Sequence, residues 1–254
     1  MEQMSKLLGL PALASEHGKG VDDLIIYIHW LMVALFIGWI IYFFYAIFRF
    51  HHKRNPKADY VGVKNHATSY IEVVVVLAEF ALLAFFAIPL WAKAVDKFPE
   101  EKDSTVIQVV AQQFAWNVRY PGKDAAFGRQ DMQLVKSDNL FGIDPADTKG
   151  KDDVQTLNEI HVVVNKPVII YISSKDVIHS FKVIAMRVTQ DAIPGMRIPI
   201  HFTPTKEGHY QINCAQLCGN GHSSMSAGML VVDSQAAFDK WLATKTPGAA
   251  QSFE

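Results

Sequence analysis

Leu24 to Phe48 is a stretch of 25 residues without a formal charge, and Val73 to Trp91 is a second, of 19 residues, broken only by Glu79. A bilayer core is crossed by about 20 apolar residues in helix, because lipid offers no partner to an unpaired backbone N–H or C=O. The two runs predict membrane helices over roughly 22–50 and 68–93, joined as a hairpin. The first run is too long and too evenly apolar for a buried helix of a soluble protein. Trp30, Trp39, Tyr42, Tyr45, Tyr70 and Trp91 are common types in such spans, and those near the ends suit the interfacial belt. Pro89 is expected to bend the last turn of the second helix.

Charge sets the orientation. The connector holds Arg49, Lys53, Arg54, Lys57 and Lys64 against Asp59 alone, whereas the segments before the first helix and after the second hold more acids than bases. Lys and Arg stay in the cytoplasm. The connector is therefore expected inside, with both termini and the C-terminal part on the periplasmic side of a bacterial inner membrane. The first 20 residues show no clear cleavable signal peptide, so the first helix would serve as its own export signal. Acids inside a membrane are costly and face protein or water. Glu72 and Glu79 lie seven apart, on one helix face. His29 is expected to make a helix–helix contact.

After Pro99 the pattern changes to period two. Thr105 to Tyr120 is rich in β-formers and ends at the Pro121-Gly122 turn signal. Residues 122–158, rich in Gly, Asp and Lys, read as a long loop. Further strands are expected over 159–172 (broken at Asn165-Lys166-Pro167), 181–189, 196–202, 208–213 and 225–232. Asp233 or Ser234 then caps a short helix carrying Phe238, Trp241 and Leu242. About seven short strands point to a Greek-key β-barrel or sandwich. The chain thus divides into a tail at 1–21, a transmembrane hairpin at 22–95, an exported domain at 104–245 and a flexible tail at 246–254. A net charge of −1 argues against nucleic acid as a partner.

Cys214 to Met225 reads C-A-Q-L-C-G-N-G-H-S-S-M, and holds the only two cysteines of the chain. Two thiols, an imidazole and a thioether on one loop suit soft copper. Two bridging thiolates can hold two copper ions and share one electron over both. A disulfide is the competing reading for an exported domain; zinc is another, although zinc sites do not normally recruit Met. A second His is needed from His161, His179, His201 or His209. Spacing favours His179, between two expected strands, and leaves His209 open.

Three runs, D-V-I-H-S-F at 176–181, D-A-I-P-G at 191–195 and C-A-Q-L-C-G-N-G-H-S-S-M at 214–225, occur in the order found in subunit II of haem–copper cytochrome c oxidases, which the chain resembles over residues 20–245. The resemblance implies a cupredoxin-like barrel beside the two-helix hairpin, carrying the dinuclear copper A centre. It implies His179, Cys214, Cys218, His222 and Met225 as ligands, with Gln216 contributing its backbone carbonyl. The family usually has Glu at the Gln216 position, where the side chain also reaches a magnesium ion shared with subunit I; neutral Gln is a weaker ligand for a hard cation. The family's aromatic run is similar to Q-W-x-W, and its first Trp receives the electron from cytochrome c. Here the run is Gln113-Phe114-Ala115-Trp116, so Phe114 takes that place, with Trp116 following. Lys175 stands where some relatives have an acid that helps dock cytochrome c. These departures imply a dedicated donor, such as a membrane-bound cytochrome c or a cytochrome-bearing complex held in a supercomplex. Glu72 resembles a family Glu at the mouth of a proton path into subunit I. Asp191 is expected near the subunit interface or supporting its own turn.

The implied function is electron acceptance from a cytochrome c and transfer to haem in subunit I, where oxygen is reduced to water and protons are translocated. This chain itself would bind no oxygen. It has no C-x-x-C-H run and hence no fused c-type haem. Quinol oxidase subunits lack the copper ligands, and nitrous oxide reductase needs a larger second domain. A membrane-tethered copper store or chaperone is the alternative from another class.

Overall fold

The structure is a computed structural model that describes residues 2–57, 60–62 and 64–247. The expected flexible tail at 246–254 lies almost wholly outside the described residues. The chain forms two compact units, one of Met1–Leu10 and Gly20–Lys93, the other of Pro11–Lys19 and Ala94–Glu254.

The first unit is helical. A short α1 (Glu2–Leu7) precedes α2 (Gly18–Arg49), 32 residues long. At about 1.5 Å per residue α2 exceeds the thickness of a bilayer core. The second span begins as α3 (Ala67–Leu82), passes through a π-helical turn at Leu83–Ala87 and continues as α4 (Ile88–Val95). Both spans are membrane-crossing in length and composition, with mean hydropathies of 2.4 and 2.6 in their most apolar windows. The wide turn has a local cause. Pro89 has no N–H, and its ring would clash with the carbonyl of Phe85 in a regular helix; one extra residue in the turn relieves this. A π turn at Leu83–Ala87 thus lies just ahead of the proline. The helices approach closely here. Tyr27 meets Phe86 edge-on at 5.3 Å, and a Cβ on Gly20 would lie 2.8 Å from Leu90 Cδ1.

The second unit is built from β1 (Thr105–Gln112), β2 (Ala115–Tyr120), β3 (Val154–Leu157), β4 (Glu159–Val163), β5 (Val168–Ser174), β6 (His179–Val183), β7 (Val188–Ala192), β8 (Ile198–Phe202), β9 (Gly208–Gln211), β10 (Asn213–Cys214) and β11 (Met229–Asp233), closed by α5 (Gln235–Ala243). One sheet has the order β3-β2-β1-β5-β8, and two smaller ones are β10-β6-β7 and β4-β11-β9. The β1–β5 and β4–β11 pairs are parallel; the others are antiparallel. Period-two apolar residues such as Ile107, Val109, Ile170 and Ile172 meet Phe181, Phe202 and Leu230 in one buried core. Ser234, not Asp233, caps α5, accepting from Ala237 N–H at 3.3 Å.

Several expected strands are shorter or divided. Thr105 to Tyr120 is a hairpin, because Gln113 and Phe114 turn the chain and Gln112 pairs with Ala115. Residues 181–189 are not one strand: a 3-10 turn at Ile184–Met186 ends with Arg187 in the left-handed region (φ 55°) and starts a new hairpin. Met225 lies in a 3-10 turn, His222–Ala227, rather than at the start of the last strand. The 122–158 region contains two 3-10 turns and β3.

Residues 11–19 hydrogen-bond to the β unit. Ala14 N–H donates to Ala185 O at 2.9 Å, Thr205 N–H to Ala14 O at 2.8 Å, Glu16 N–H to Thr203 O at 3.0 Å, and Ser15 Oγ to Met186 O at 2.6 Å. Sequence alone shows these residues only as a tail, since none of their partners is close along the chain.

Candidate metal centre

The cluster gathers at one end of the β unit. His179 opens β6 and Cys214 closes β10, which pairs with β6 so that Cys214 lies opposite Phe181. Cys218 follows on the connecting loop, and His222 and Met225 lie in the 3-10 turn before β11. Cys214 Sγ and Cys218 Sγ are 4.0 Å apart, about twice an S–S bond length, and both thiols are free. Cys214 Sγ is 3.9 Å from His179 Nδ1 and 3.1 Å from the Gln216 carbonyl. Cys218 Sγ is 3.4 Å from His222 Nδ1 and 3.5 Å from Met225 Sδ. His179 and Met225 are fully buried and Cys218 nearly so. Burial and the adjacent Cys214 sulfur push the Cys218 thiol up to about 11. It holds its proton until a cation replaces it.

The donor set fits copper. Two thiols, two imidazoles, a carbonyl and a buried thioether converge, and a thioether belongs with copper and not with structural zinc. Of the four candidate histidines, His179 joins the thiols. His161, His201 and His209 lie on β4, β8 and β9 and are not in this cluster: His161 stacks on Trp241 at 4.0 Å, and His201 packs against Phe98 at 4.6 Å. Gln216 has an exposed side chain.

Residues around the cluster explain its shape. His179 Nε2 lies 2.9 Å from Asp176 Oδ1, which leaves Nδ1 facing the sulfur. Asp176 also accepts from Gln113 N–H at 2.7 Å. Burial pushes its carboxyl up, but the bonds from Gln113, His179 and Val177 outweigh this and hold it below the usual range. Gln113 Nε2 donates to Cys218 O at 2.5 Å, and Trp116 Nε1 to Met225 O at 3.0 Å. Phe114 is half-buried and lies on the loop, where a Cβ on Gly221 would sit 2.3 Å from its ring. Trp116 is fully buried, and its ring meets His179 edge-on at 6.3 Å. Asp176 escaped sequence reading; its signal was a carboxylate three residues before the ligand-type His179. Asp191 lies on β7 opposite Ser180 with its side chain exposed. Glu72 and Glu79 both lie on α3, in the other unit, with exposed side chains.

A sulfur- and imidazole-lined loop at the end of such a β fold defines a cupredoxin-like domain with a candidate copper site, anchored by two membrane-crossing helices. The chain belongs to the cytochrome c oxidase subunit II family: the family model described as cytochrome c oxidase subunit II, periplasmic domain, matches residues 105–234. The alternative cytochrome c oxidase subunit 2 of Bradyrhizobium diazoefficiens is 31% identical over 223 residues, covering 87% of this chain and 79% of the relative. Cytochrome c oxidase subunit 2 of Cereibacter sphaeroides is 28% identical over 234 residues, covering 85% and 75%. The crystal structure of the periplasmic domain of subunit II of cytochrome oxidase from Bradyrhizobium japonicum aligns with a TM-score of 0.43 at 27% identity, covering 61% of this chain and 100% of that one. The protein is therefore an oxidase subunit.

Proposed function

We propose that this chain accepts electrons from a cytochrome c at a dinuclear copper A centre and passes them to haem in subunit I, where oxygen is reduced to water and protons are translocated. The observation that carries this reading is the pair of thiols 4.0 Å apart, flanked by one imidazole each and by a buried thioether. Cys214, Cys218, His179, His222, Met225 and the Gln216 carbonyl would hold the two ions. Two copper ions so held would supply a site that shares one electron with little rearrangement. The chain's own part is to hold the ligands still and dry: His179 and Met225 are sealed in the core, and Asp176 fixes the His179 ring. Gln216, neutral and exposed, is a poor ligand for magnesium.

Phe114, the partly exposed aromatic on the loop, is the contact for an arriving donor. With Lys175 exposed nearby in sequence to Asp176 and His179, the donor is a dedicated one, a membrane-bound cytochrome c or a cytochrome-bearing complex in a supercomplex. The test uses the intact oxidase. Copper content near two per chain, a mixed-valence spin-resonance spectrum, and slow turnover with soluble basic cytochrome c are expected. A single zinc, or fast and strongly salt-dependent turnover, would count against the centre and against the dedicated donor respectively.

Charge supports the orientation: the connector between the spans holds Arg49, Lys53, Arg54, Lys57 and Lys64 against Asp59 alone, which favours the cytoplasmic side for it and the periplasmic side for both outer helix ends. A protease site placed at 53–57 should be cut in inverted vesicles and protected in intact spheroplasts; the reverse pattern refutes this topology. Glu72, near the connector end of α3, then lies on the cytoplasmic side, as a proton path into subunit I requires.

A further inference from the structure

We infer that the β1–β2 turn is a clamp on the ligand loop, with Gln113 and Trp116 as positioning residues for the metal centre; this rests on the copper reading above. The loop between β10 and β11 has no sheet partner of its own. Its ends are tied by main-chain bonds, Ala215 N–H to Ser180 O at 2.9 Å and Ile212 N–H to Gly228 O at 2.8 Å. Its middle is shaped by internal turns, such as His222 N–H to Gly219 O at 3.1 Å. Gln211 reaches in from outside to Ser226 O at 3.0 Å. Gln113 and Trp116 differ from it, because the carbonyls they hold belong to Cys218 and Met225, whose side chains are in the donor cluster.

Trp116 is itself anchored on both sides of its main chain. Its N–H donates to Asn158 Oδ1 at 2.8 Å, and its carbonyl accepts from Asn158 N–H at 2.8 Å. The indole is fully buried, and its ring meets His179 edge-on at 6.3 Å and Phe181 at 5.4 Å. One rigid ring thus touches a ligand on β6 and holds the backbone of another in the loop. Gln113 couples the other pair: its side-chain amide holds Cys218 O, while its N–H holds Asp176, the carboxylate on His179. Phe114 between them packs against Gly219 and Gly221, where a Cβ would come within 3.0 Å and 2.3 Å of its ring. The ligand backbone is therefore fixed by side chains from a different hairpin before any metal arrives, and a preorganised site loses affinity when its supports are removed.

The test compares three variants in the intact oxidase. Gln113→Leu removes one donor and keeps the side chain's bulk, and Trp116→Phe removes one donor while trimming a buried ring; Gln211→Leu removes a loop bond to a residue that is not a ligand. The first two are expected to release copper to a chelator about 10-fold more readily, with an altered hyperfine pattern and a shifted reduction potential. Gln211→Leu should leave spectrum and potential as in the parent. Gln113 is exposed, so its variant serves even where Trp116→Phe does not fold. Parent-like spectrum, potential and copper release in Gln113→Leu would overturn the clamp. A parent oxidase without a mixed-valence spectrum would instead overturn the copper reading.

Discussion

Cys218→Ser is expected to abolish the mixed-valence spectrum and to cut electron delivery to haem by more than about 100-fold, since loss of outer partners alone costs metal sites 10–100-fold. Cys218 is the hub of the cluster. Its sulfur lies 3.4 Å from His222 Nδ1, 3.5 Å from Met225 Sδ and 4.0 Å from Cys214 Sγ. A hydroxyl in its place is a harder donor that does not suit copper. The fold should survive, because Ser is nearly the same size; burying its hydroxyl costs roughly 1–3 kcal/mol. Spin resonance and steady-state turnover on intact oxidase, with thermal unfolding as a control, separate the two effects. An unchanged spectrum would remove Cys218 from the site.

Asp153→Ala should destabilise the β unit by about 3–5 kcal/mol, because it leaves Arg119 charged and buried without its partner. Both side chains are fully buried, and Arg119 forks onto Asp153 through Nε and Nη2. The pair also receives Gly128 N–H, and Arg119 donates to Gln108 Oε1 and Gly128 O. Burial pushes the guanidinium down and the carboxyl up, each against the pull of its partner. Both groups are thus biased toward neutrality, the mark of a pair that depends on being complete. For a unit of this size the loss corresponds to a drop in Tm of roughly 10 °C. Arg119→Met with Asp153→Leu should recover most of it, since apolar replacement of a whole pair is often neutral. A single-variant drop below about 1 kcal/mol would show that water reaches Arg119.

The pair also shows why residues 122–158 read as a structureless loop. Its order comes from contacts invisible to periodicity: Arg119 against Asp153, Asp152 accepting from Lys123 N–H at 2.6 Å, and Gly128 so close to Gly150 that a Cβ would lie 2.3 Å from its Cα. Gly and Asp were legible as turn formers but not as partners.

Local chemistry determined much from sequence alone. Lipid solvation makes a long uncharged run a membrane helix whatever its neighbours, and soft ligands on one short loop must stay near each other, so the two spans and four of the donors were legible. Alternation marked the strands. The tertiary structure decided what depends on residues distant in the chain: that His179 rather than His209 meets the thiols, that Trp116 is sealed inside behind Met225, that Phe181 and Thr189 lie on opposite strands of one hairpin, and that residues 11–19 hydrogen-bond to the β unit. Pattern reports which face a residue presents; only folding, by closing long loops against their entropy, sets which distant face it meets.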